Sequence, residues 1–350
     1  MQAGRRQLLT CAALAPLALA ARRLPAAAAQ RSVIDGVILG VQTYSFHDIL
    51  DDGSDHSAAI IERMLQCGLS SCELFAPQVE PGVFTGTLPP ASQCPKPDIG
   101  CPPNAGGSER NGFAWVFQRK KGDDYVKARA AQRAFRESKP RAHYEAIRRR
   151  FDDAGIELFT YNPMFDLDCT DAEIDGIFYA AKALGVKGIN ASIRVPMLKR
   201  AIPFAEKHQV VIAPHGHSVV TDLEDFSTRK TFTDAFALSK WVWANLDIGH
   251  YVASGEDPLE FIQTFHDRIT NLHIKDRQKN RSATSEDGAN VPWGTGDTPI
   301  AAVLRLLRDK RYKIPAFIEI EHIGTTTAVG EVIKAYDYCK QALAGTPRTA

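Results

Sequence analysis

The chain has 350 residues, of which 44% are hydrophobic and 24% are charged, and its formal net charge at pH 7 is +1. This composition is ordinary for a globular protein with a large core, and the balanced charge offers no broad positive surface for nucleic acid. The length allows one large domain or two ordinary ones, because barrel domains commonly exceed 200 residues. We therefore expect no nucleic-acid partner.

The first 30 residues have the pattern of an export signal. Arg5 and Arg6 precede an apolar, alanine-rich stretch at 11–21, and the small residues at 26–29 suit a signal peptidase. The paired arginines resemble the twin-arginine signal that carries folded proteins across a bacterial inner membrane. A disordered or helical N-terminal arm is the alternative. We predict a signal peptide at 1–30 and a periplasmic or secreted mature protein without a membrane span, because the apolar run is shorter than ~20 residues.

From residue 37 onward, short β-rich apolar runs alternate with amphipathic helical stretches. Strands are predicted at 37–44, 71–75, 157–161, 188–191, 210–214, 242–247, 269–274 and 316–320. Helices are predicted between them at 57–67, 140–153, 171–184, 195–207, 232–239, 258–264 and 300–309. Alternating strands and helices indicate parallel βαβ units. Eight such units predict an α/β fold, a (β/α)8 TIM barrel over residues 34–345.

One connection is much longer than the others. Residues 78–138 follow the second strand, are rich in Pro, Gly, Lys and Arg, and are predicted to be a loop insertion. Loops that follow barrel strands form the catalytic face, so the insertion is expected there as a lid or as a contact within a homo-oligomer. Cys94 and Cys101 lie in a Pro- and Gly-rich part of it. They are predicted to be either a disulfide or two free thiols.

Histidines and carboxylates gather at the ends of the predicted strands. Six of the ten histidines lie there: His47, His215, His217, His250, His273 and His322. The active site of a (β/α)8 barrel lies at the C-terminal ends of its strands, and residues two apart share a strand face. If Asp247, His273 and Glu319 point inward, two carboxylates and one imidazole meet. His215 or His217 can complete the set.

Such a set predicts a site for one divalent metal ion. Mixed oxygen and nitrogen ligands suit Mn²⁺, Mg²⁺, Co²⁺ or Zn²⁺. A cation also offsets the repulsion between buried carboxylates, which would otherwise raise one another's pKa. Each residue has a structural alternative, since a lone Asp at a strand end often caps the next loop and a lone His is often a satisfied core residue. Repetition at four successive strand ends favours the metal.

The same strand ends carry a family resemblance. Residues 246–250 (LDIGH), 272–276 (LHIKD) and 317–321 (FIEIE), with the loop 292–297 (PWGTGD), resemble the xylose isomerase-like TIM barrel superfamily. That group includes sugar phosphate isomerases and epimerases, tagatose-type 3-epimerases, inosose dehydratases and endonuclease four. The resemblance covers about residues 37–340 apart from the insertion. It implies the barrel fold and a metal-dependent activity.

In the epimerases of this group, one divalent ion is held by a Glu, an Asp, a His and a Glu on the fifth to eighth strands. By that pattern the resemblance implies that Asp247, His273 and Glu319 are metal ligands. It also implies that His250, three residues after the Asp, contacts the substrate. Glu73 is a further candidate for a hydrogen bond to a substrate hydroxyl, or alternatively for one to a neighbouring strand end. His47 is a candidate substrate contact.

One position departs from the epimerase pattern. Ala213 stands where the fifth-strand Glu is expected, and that Glu is both a ligand and one of two opposed bases in the epimerases. We expect His215 to be the substitute ligand and His217 to be a ligand or a base. The departure puts symmetrical proton transfer in doubt. It also keeps open a non-catalytic carbohydrate-binding barrel.

The resemblance implies chemistry at a carbon next to a carbonyl, through an enediolate that a Lewis acid stabilises. Glu319, Glu321 and His217 are candidate bases, and Lys275 is a candidate for neutralising oxyanion charge. Reprotonation of the enediolate gives a sugar isomerase or epimerase, which is the leading prediction. Loss of a β-substituent gives a lyase on an oxidised sugar or glycoside. Phosphodiester hydrolysis is disfavoured by the near-neutral charge and the predicted export.

Overall fold

A computed structural model describes residues 32–49, 53–83, 120–284, 288–322 and 324–345. The predicted signal peptide, Cys94 and Cys101 lie outside these residues, and so does residue range 84–119 of the insertion. Among the residues described, no helix has the length and apolar character needed to cross a bilayer.

Eight parallel strands form a nearly closed barrel, which confirms the predicted (β/α)8 fold. The eight barrel strands are β2 (Val37–Gln42), β3 (Ser71–Phe75), β4 (Glu157–Asn162), β5 (Gly188–Ala191), β6 (Val211–Pro214), β7 (Ala244–Asp247), β8 (Ile269–Ile274) and β9 (Ala316–Ile318), and a short strand β1 (Val33–Ile34) precedes them. Their order is β6-β5-β4-β3-β2-β9-β8-β7, and β1 pairs antiparallel with β2 outside the barrel. Single parallel bridges, Ile212 with Val242 and His215 with Asn245, connect the region of β6 to that of β7.

Helices surround the strands, and each of the seven predicted helices overlaps an observed one. They are α1 (Ser57–Cys67), α2 (Gly122–Ser138), α3 (Arg141–Asp153), α4 (Asp171–Leu184), α5 (Val195–His208), α6 (Arg229–Phe236), α7 (Ile248–Ala253), α8 (Pro258–Phe265), α9 (Ile300–Lys310) and α10 (Ala328–Leu343). Helix α6 begins three residues before its predicted start at Phe232. The reason is local, because the Thr228 side chain accepts a hydrogen bond from the Thr231 amide and caps the helix there.

The prediction of a loop through residue 138 is wrong for its last part, which forms helix α2. This helix packs against α4, where Gly176 leaves room for a close approach: a Cβ at Gly176 would lie 2.2 Å from the Arg136 carbonyl oxygen. Arg129 donates to both carboxylate oxygens of Glu173 on α4, at 2.6 and 2.8 Å. The charged composition suggested a loop because the buried face of this helix consists of Arg129, Gln132 and Arg136, and ion pairs rather than an apolar stripe anchor it.

The barrel interior changes character along its axis. Phe317 occupies its lower part and lies against Gly40, where an added Cβ would be 2.5 Å from the Phe317 ring. Above it lies a layer of polar side chains that are fully buried: Glu73, Thr160, Asn190 and Asn271. Buried polar groups need hydrogen-bond partners, so this layer must satisfy itself. It forms the floor of the site at the C-terminal ends of the strands.

Candidate metal centre and active site

Four side chains at the ends of β6 to β9 converge on one point. His215, Asp247, His273 and Glu319 each offer one ligand atom, and these four atoms lie within 4.8 Å of one another. All four side chains are buried. The structure thus brings together the four residues that the sequence predicted as metal ligands. We call them the ligand cluster.

The ligand cluster fits a divalent cation. Asp247 Oδ2, Glu319 Oε2 and both ring nitrogens of His273 are buried and make no hydrogen bond of normal geometry, although each lies within ion-pair distance of an oppositely charged group. Buried polar atoms are rarely left in this state, and each such atom calls for an explanation. A donor set of two carboxylates and two imidazoles suits borderline or hard divalent ions. These residues would therefore hold the metal that the fold family implies.

Asp247 serves two purposes with its two oxygens. Its Oδ1 accepts a hydrogen bond from the His250 amide at 2.7 Å and caps α7, as the structural alternative for this residue predicted. Its Oδ2 faces the ligand cluster. Burial, opposed by Lys275 and reinforced by Glu319, raises the pKa of Asp247 to about 6. A bound cation favours the ionised carboxylate, so binding reverses this effect.

His215, rather than the residue at 213, occupies the ligand position at the end of β6. Ala213 pairs with Asn190 in the β5–β6 ladder and is fully buried below the cluster. The Nδ1 of His215 lies 2.8 Å from Asn245 Oδ1, and the Asn245 amide donates to the Asn271 carbonyl at 3.1 Å. Because the Asn245 amide group is used as a donor, its Oδ1 must accept from His215, so these hydrogen bonds place the ring proton of His215 on Nδ1. Nε2 is left as the ligand atom, and burial lowers the pKa of His215 well below its usual range.

His273 is held between two carboxylates. Its Nε2 lies 3.0 Å from Glu73 Oε1 and its Nδ1 lies 3.2 Å from Glu319 Oε2. Burial would lower the pKa of His273, but Glu73 and Glu319 outweigh it and raise that pKa well above its usual value. A carboxylate behind a metal-binding histidine fixes the orientation of the ring and increases its basicity. Glu73 is placed to do this for His273.

Glu73 itself does not reach the pocket. It is fully buried beneath His273 and accepts hydrogen bonds from Asn162 at 2.7 Å, Thr160 at 3.0 Å, Asn271 at 3.1 Å and Asn190. The structure therefore shows the alternative considered for this residue, bonding to neighbouring strands, in place of a substrate contact. Burial would raise the pKa of Glu73, but His273 and the amide donors lower it overall.

Lys275 is the cation that lies beside the ligand cluster. Its Nζ is 2.7 Å from Glu319 Oε2 and 2.9 Å from Asp247 Oδ2, and it also contacts Glu321. Burial would lower the pKa of Lys275, but these three carboxylates raise it. The ammonium group is therefore charged at neutral pH. Lys275 is 2% exposed and does not line the pocket, so its charge acts on the site through these carboxylates.

His217 forms a pair with an acidic residue that the sequence analysis did not single out. Its Nδ1 lies 3.5 Å from Asp225 Oδ1, and its Nε2 lies 3.3 Å from Ser192 Oγ. Burial would lower the pKa of His217, but Asp225 outweighs it and raises that pKa. An imidazole oriented and made more basic by a carboxylate is the arrangement expected of a general base.

The two remaining predicted substrate contacts, His250 and His47, lie in different surroundings. The His250 ring packs against that of His217, with centroids 5.2 Å apart, and its Nε2 lies 3.7 Å from Glu321 Oε2. His47 does not line the pocket, and burial lowers its pKa to about 4. It interacts electrostatically with His322, which lies near Glu331 at the start of α10. His250 is not among the described lining residues either, but it lies against His217 and Glu321, which are, whereas His47 does not.

A pocket of about 360 Å³ opens onto the ligand cluster. Its lining residues are Gln42, Tyr44, Phe75, Asn162, Met164, Ser192, His215, His217, His273, Glu319 and Glu321. This volume is within the range of roughly 300–1,000 Å³ that small-molecule sites usually have. Tyr44 and Phe75 meet edge to face, with ring centroids 5.5 Å apart, and form an aromatic wall.

Sequence reasoning missed the polar layer beneath the ligands and the second partners of the histidines. The missed residues are Asn162, Asn190, Asp225, Asn245, Asn271 and Arg277. The two-residue alternation that selected Asp247 and His273 also selects Asn245 and Asn271, one step earlier on the same strand faces. Extending the alternation would have found these two. No comparable signal marks Asp225, which lies in the loop between β6 and α6.

The chain belongs to the xylose isomerase-like TIM barrel family, whose model matches residues 117–341. An inosose dehydratase of Clostridium perfringens (strain 13 / Type A) is 28% identical over 145 residues, which are 38% of this chain and 48% of that protein. The chain thus spans about half the length of the curated relatives it matches.

Solved structures share the fold at lower identity. The IOLI protein, crystallised with a zinc atom, has a TM-score of 0.55 and 14% identity, over 89% of this chain and 99% of that chain. A sugar phosphate isomerase/epimerase from Parabacteroides distasonis has a TM-score of 0.52 and 17% identity, over 93% and 100%. A probable 3-DHS dehydratase from Bacillus anthracis has a TM-score of 0.51 and 13% identity, over 84% and 97%. At these identities the likeness shows the fold alone.

Proposed function

We propose that the protein is a metal-dependent lyase that removes a β-substituent from an uncharged, polyhydroxylated ketone, such as an oxidised sugar or glycoside. The observation that supports this is the inequality of the proton-transfer groups in the pocket. His217 is paired with Asp225, whereas Glu319 and Glu321 are bound to Lys275. Direct epimerisation between opposite faces uses two comparable bases, whereas elimination uses one base and one proton donor.

His217 is the proposed base. Its Nε2 lies at the pocket beside Ser192, and Asp225 stabilises the imidazolium that forms when the ring takes the α-proton. The C–H electron pair then forms the new C=C bond, and the bond from the β-carbon to its oxygen breaks. The imidazolium returns its proton to that oxygen, so water or an alcohol leaves and no other reactant is needed.

The negative charge that develops on the carbonyl oxygen must be stabilised. A divalent ion in the ligand cluster would supply Lewis acidity toward this oxygen and a neighbouring hydroxyl. Lys275 adds a fixed positive charge within 3 Å of the cluster carboxylates. Preorganised charges of this kind often contribute the largest share of a rate enhancement.

The pocket favours a substrate without phosphate or carboxylate groups. Among its described lining residues there is no Arg or Lys, while Glu319 and Glu321 are present. Gln42, Asn162 and Ser192 offer hydrogen bonds to neutral hydroxyls. The Tyr44–Phe75 wall suits the C–H face of a sugar ring or the apolar part of a glycoside.

The similarity to inosose dehydratase supports elimination, since a dehydratase removes water from its substrate, but it covers only about half of that protein. Sugar isomerase or epimerase activity remains the second candidate, because Glu321 also lines the pocket and can act as a second base. For cellular location we propose export, on the basis of the twin-arginine pattern in residues 1–30.

The test uses the metal-loaded protein in D₂O with two kinds of ketone. One kind, inosose and a 3-oxo-glucoside, can lose a β-substituent; the other, dihydroxyacetone, has no β-carbon and can only exchange its α-protons or isomerise. NMR then follows deuterium at the α-carbon, and absorbance follows the unsaturated ketone. We expect the first kind of ketone to lose its β-substituent. This elimination should require the metal and should be absent in His217→Gln.

Other results would point elsewhere. Deuterium incorporation with formation of an epimer or isomer, and no loss of the substituent, would favour the isomerase. Binding of these ketones without any exchange at the α-carbon would favour a non-catalytic carbohydrate-binding barrel. Either outcome would refute the lyase.

A further inference from the structure

We propose that Arg277 locks His250 in the neutral tautomer that carries its proton on Nε2, and so makes His250 a hydrogen-bond donor in the active site. Arg277 follows the LHIKD segment directly, and its side chain is 2% exposed. Arg277 is not one of the four residues of the ligand cluster. It is a positioning residue, because it acts on the pocket only through His250.

The contacts of Arg277 are few and well defined. Its Nη1 lies 2.5 Å from His250 Nδ1, and its Nη2 donates to the Gly288 carbonyl. Its backbone amide donates to Thr298 Oγ1 at 3.0 Å, and its carbonyl accepts from the Asp297 amide at 2.8 Å. Nε makes no hydrogen bond, and no carboxylate lies within ion-pair distance among the residues that the structure describes. This guanidinium is therefore not part of a buried salt bridge.

The tautomer follows from the chemistry of the two groups. A guanidinium has donors and no acceptor, so the imidazole nitrogen that faces it must accept. His250 Nδ1 is that nitrogen, which leaves the ring proton of a neutral His250 on Nε2. Nε2 lies 3.7 Å from Glu321 Oε2, which lines the pocket. The ring therefore directs an N–H toward Glu321 at the pocket and cannot remove a proton on that side.

One further group lies near the Nδ1 atom of His250. Ser218 Oγ, at 3.5 Å from Nδ1, is the other group near that nitrogen. A hydroxyl can donate or accept, so it does not oppose the assignment.

The backbone brings the two residues together. A Cβ at Gly249 would lie 2.6 Å from Lys275 Cγ and 3.3 Å from Arg277 Cγ. The absence of a side chain at Gly249 thus lets the first turn of α7 pack closely against the segment after β8. This close approach places the Arg277 guanidinium beside the His250 ring.

The tautomer assignment does not rest on the proposed function; only the role of the His250 Nε2–H group toward a substrate does. In an elimination, His250 would hydrogen-bond to a hydroxyl or leaving oxygen of the substrate, while His217 acts as the base. The tautomer assignment is a property of the protein alone. It can therefore be right even if the lyase proposal is wrong.

The test is a long-range ¹H–¹⁵N correlation spectrum of the protein with ¹⁵N-labelled histidine, loaded with diamagnetic Zn²⁺, at neutral pH. Nε2 couples to both ring C–H protons and Nδ1 to only one, so the spectrum shows which nitrogen is protonated. The His250 signals are identified by their loss in His250→Gln. We expect a protonated Nε2 and an unprotonated Nδ1. A protonated Nδ1, or a doubly protonated ring, would overturn the proposal.

Arg277→Met tests the cause. We expect the His250 tautomer to become mixed or to shift to Nδ1–H, which can donate to Ser218. Arg268→Met is the matched control, because Arg268 donates only to the backbone carbonyls of Phe236, Ser239 and Val242. An unchanged His250 spectrum in a folded Arg277→Met protein would refute the role of Arg277. The wild-type spectrum remains a test of the tautomer even if that variant does not fold.

Discussion

Two ionic clusters in this protein are built around buried carboxylates but pair their charges differently. In the first, which we call the α2–α4 cluster, Arg129 and Arg133 bind Glu173 and Asp168 at distances of 2.6 to 3.1 Å. Each charge there meets an opposite charge. The ligand cluster has buried atoms that find no hydrogen bond, although Lys275 lies beside it.

The comparison separates two uses of buried charge: the α2–α4 cluster stabilises the packing of two helices, whereas the ligand cluster is a candidate binding site. A buried charge is tolerated when its hydrogen bonds and counter-charges are complete, and removing one partner is costly. The α2–α4 cluster meets this condition and anchors a helix. The ligand cluster instead gathers donor atoms that make no hydrogen bond of normal geometry, which is the arrangement expected of a metal-binding site.

The largest effect is expected from Glu319→Gln, which removes a ligand and a negative charge from the ligand cluster. We expect bound metal to be lost and activity to fall by roughly 10²–10³-fold, the size of effect seen when one key electrostatic group is removed. Metal analysis and activity assays measure this. Asp168→Asn in the α2–α4 cluster is the control and should change neither quantity. Full metal retention by Glu319→Gln would contradict the ligand assignment.

Arg129→Met should break the α2–α4 cluster and leave the site intact. Glu173 is fully buried, so it would lose its bidentate partner and keep only Arg133 and the Thr170 amide. We expect the free energy of unfolding to fall by about 3 kcal/mol. Denaturant titration measures this. Metal affinity should not change, and a large loss of it would mean that the two clusters are coupled.

Asp247→Asn should stabilise the metal-free protein above neutral pH. Because the pKa of Asp247 is raised to about 6 in the folded protein, its ionisation opposes folding as the pH rises through that value. The Asn side chain cannot ionise. We expect a gain of about 2–3 kcal/mol at pH 7 relative to wild type, disappearing below about pH 4. Unfolding curves measured across this pH range, with a chelator present, give the difference in the free energy of unfolding between Asp247→Asn and wild type. A difference that does not change with pH would contradict the prediction.

Glu73→Gln should weaken metal binding without removing a ligand. Gln cannot match both the His273 ring and the surrounding amides as a carboxylate does, so the ring loses orientation and basicity. We expect metal affinity to fall by about 10–100-fold, as for other outer-shell carboxylates. Titration with a competing chelator measures this. Thr160→Val is the control, since it removes one hydrogen bond to Glu73 and leaves its contact with His273.

The smallest effect concerns pH. Asp225 raises the pKa of His217 against the opposing effect of burial. Asp225→Asn should lower that pKa, so His217 becomes an available neutral base at lower pH. We expect the acidic limb of the kcat/KM profile to move to lower pH by about one unit or less, with a lower plateau from the weaker base. If the acidic limb does not move in Asp225→Asn, the ionisation that it reports belongs to a group other than His217.

The sequence by itself determined the barrel and the ligand cluster. Strand and helix periodicity is local, and so is the rule that residues two apart share a strand face, so Asp247, His273 and Glu319 could be selected without a structure. The same local signals placed the eight strands within a few residues of their observed bounds.

Tertiary structure decided what lies beside and beneath those ligands. Glu73 meets His273 across 200 residues of sequence, Asp225 reaches His217 from a loop, and Arg277 reaches His250 through the space at Gly249. These contacts depend on how distant segments pack when the barrel closes, and no local periodicity records them. The physical reason is that a side chain's direction is set by its own strand, whereas its partners are set by the other strands and loops.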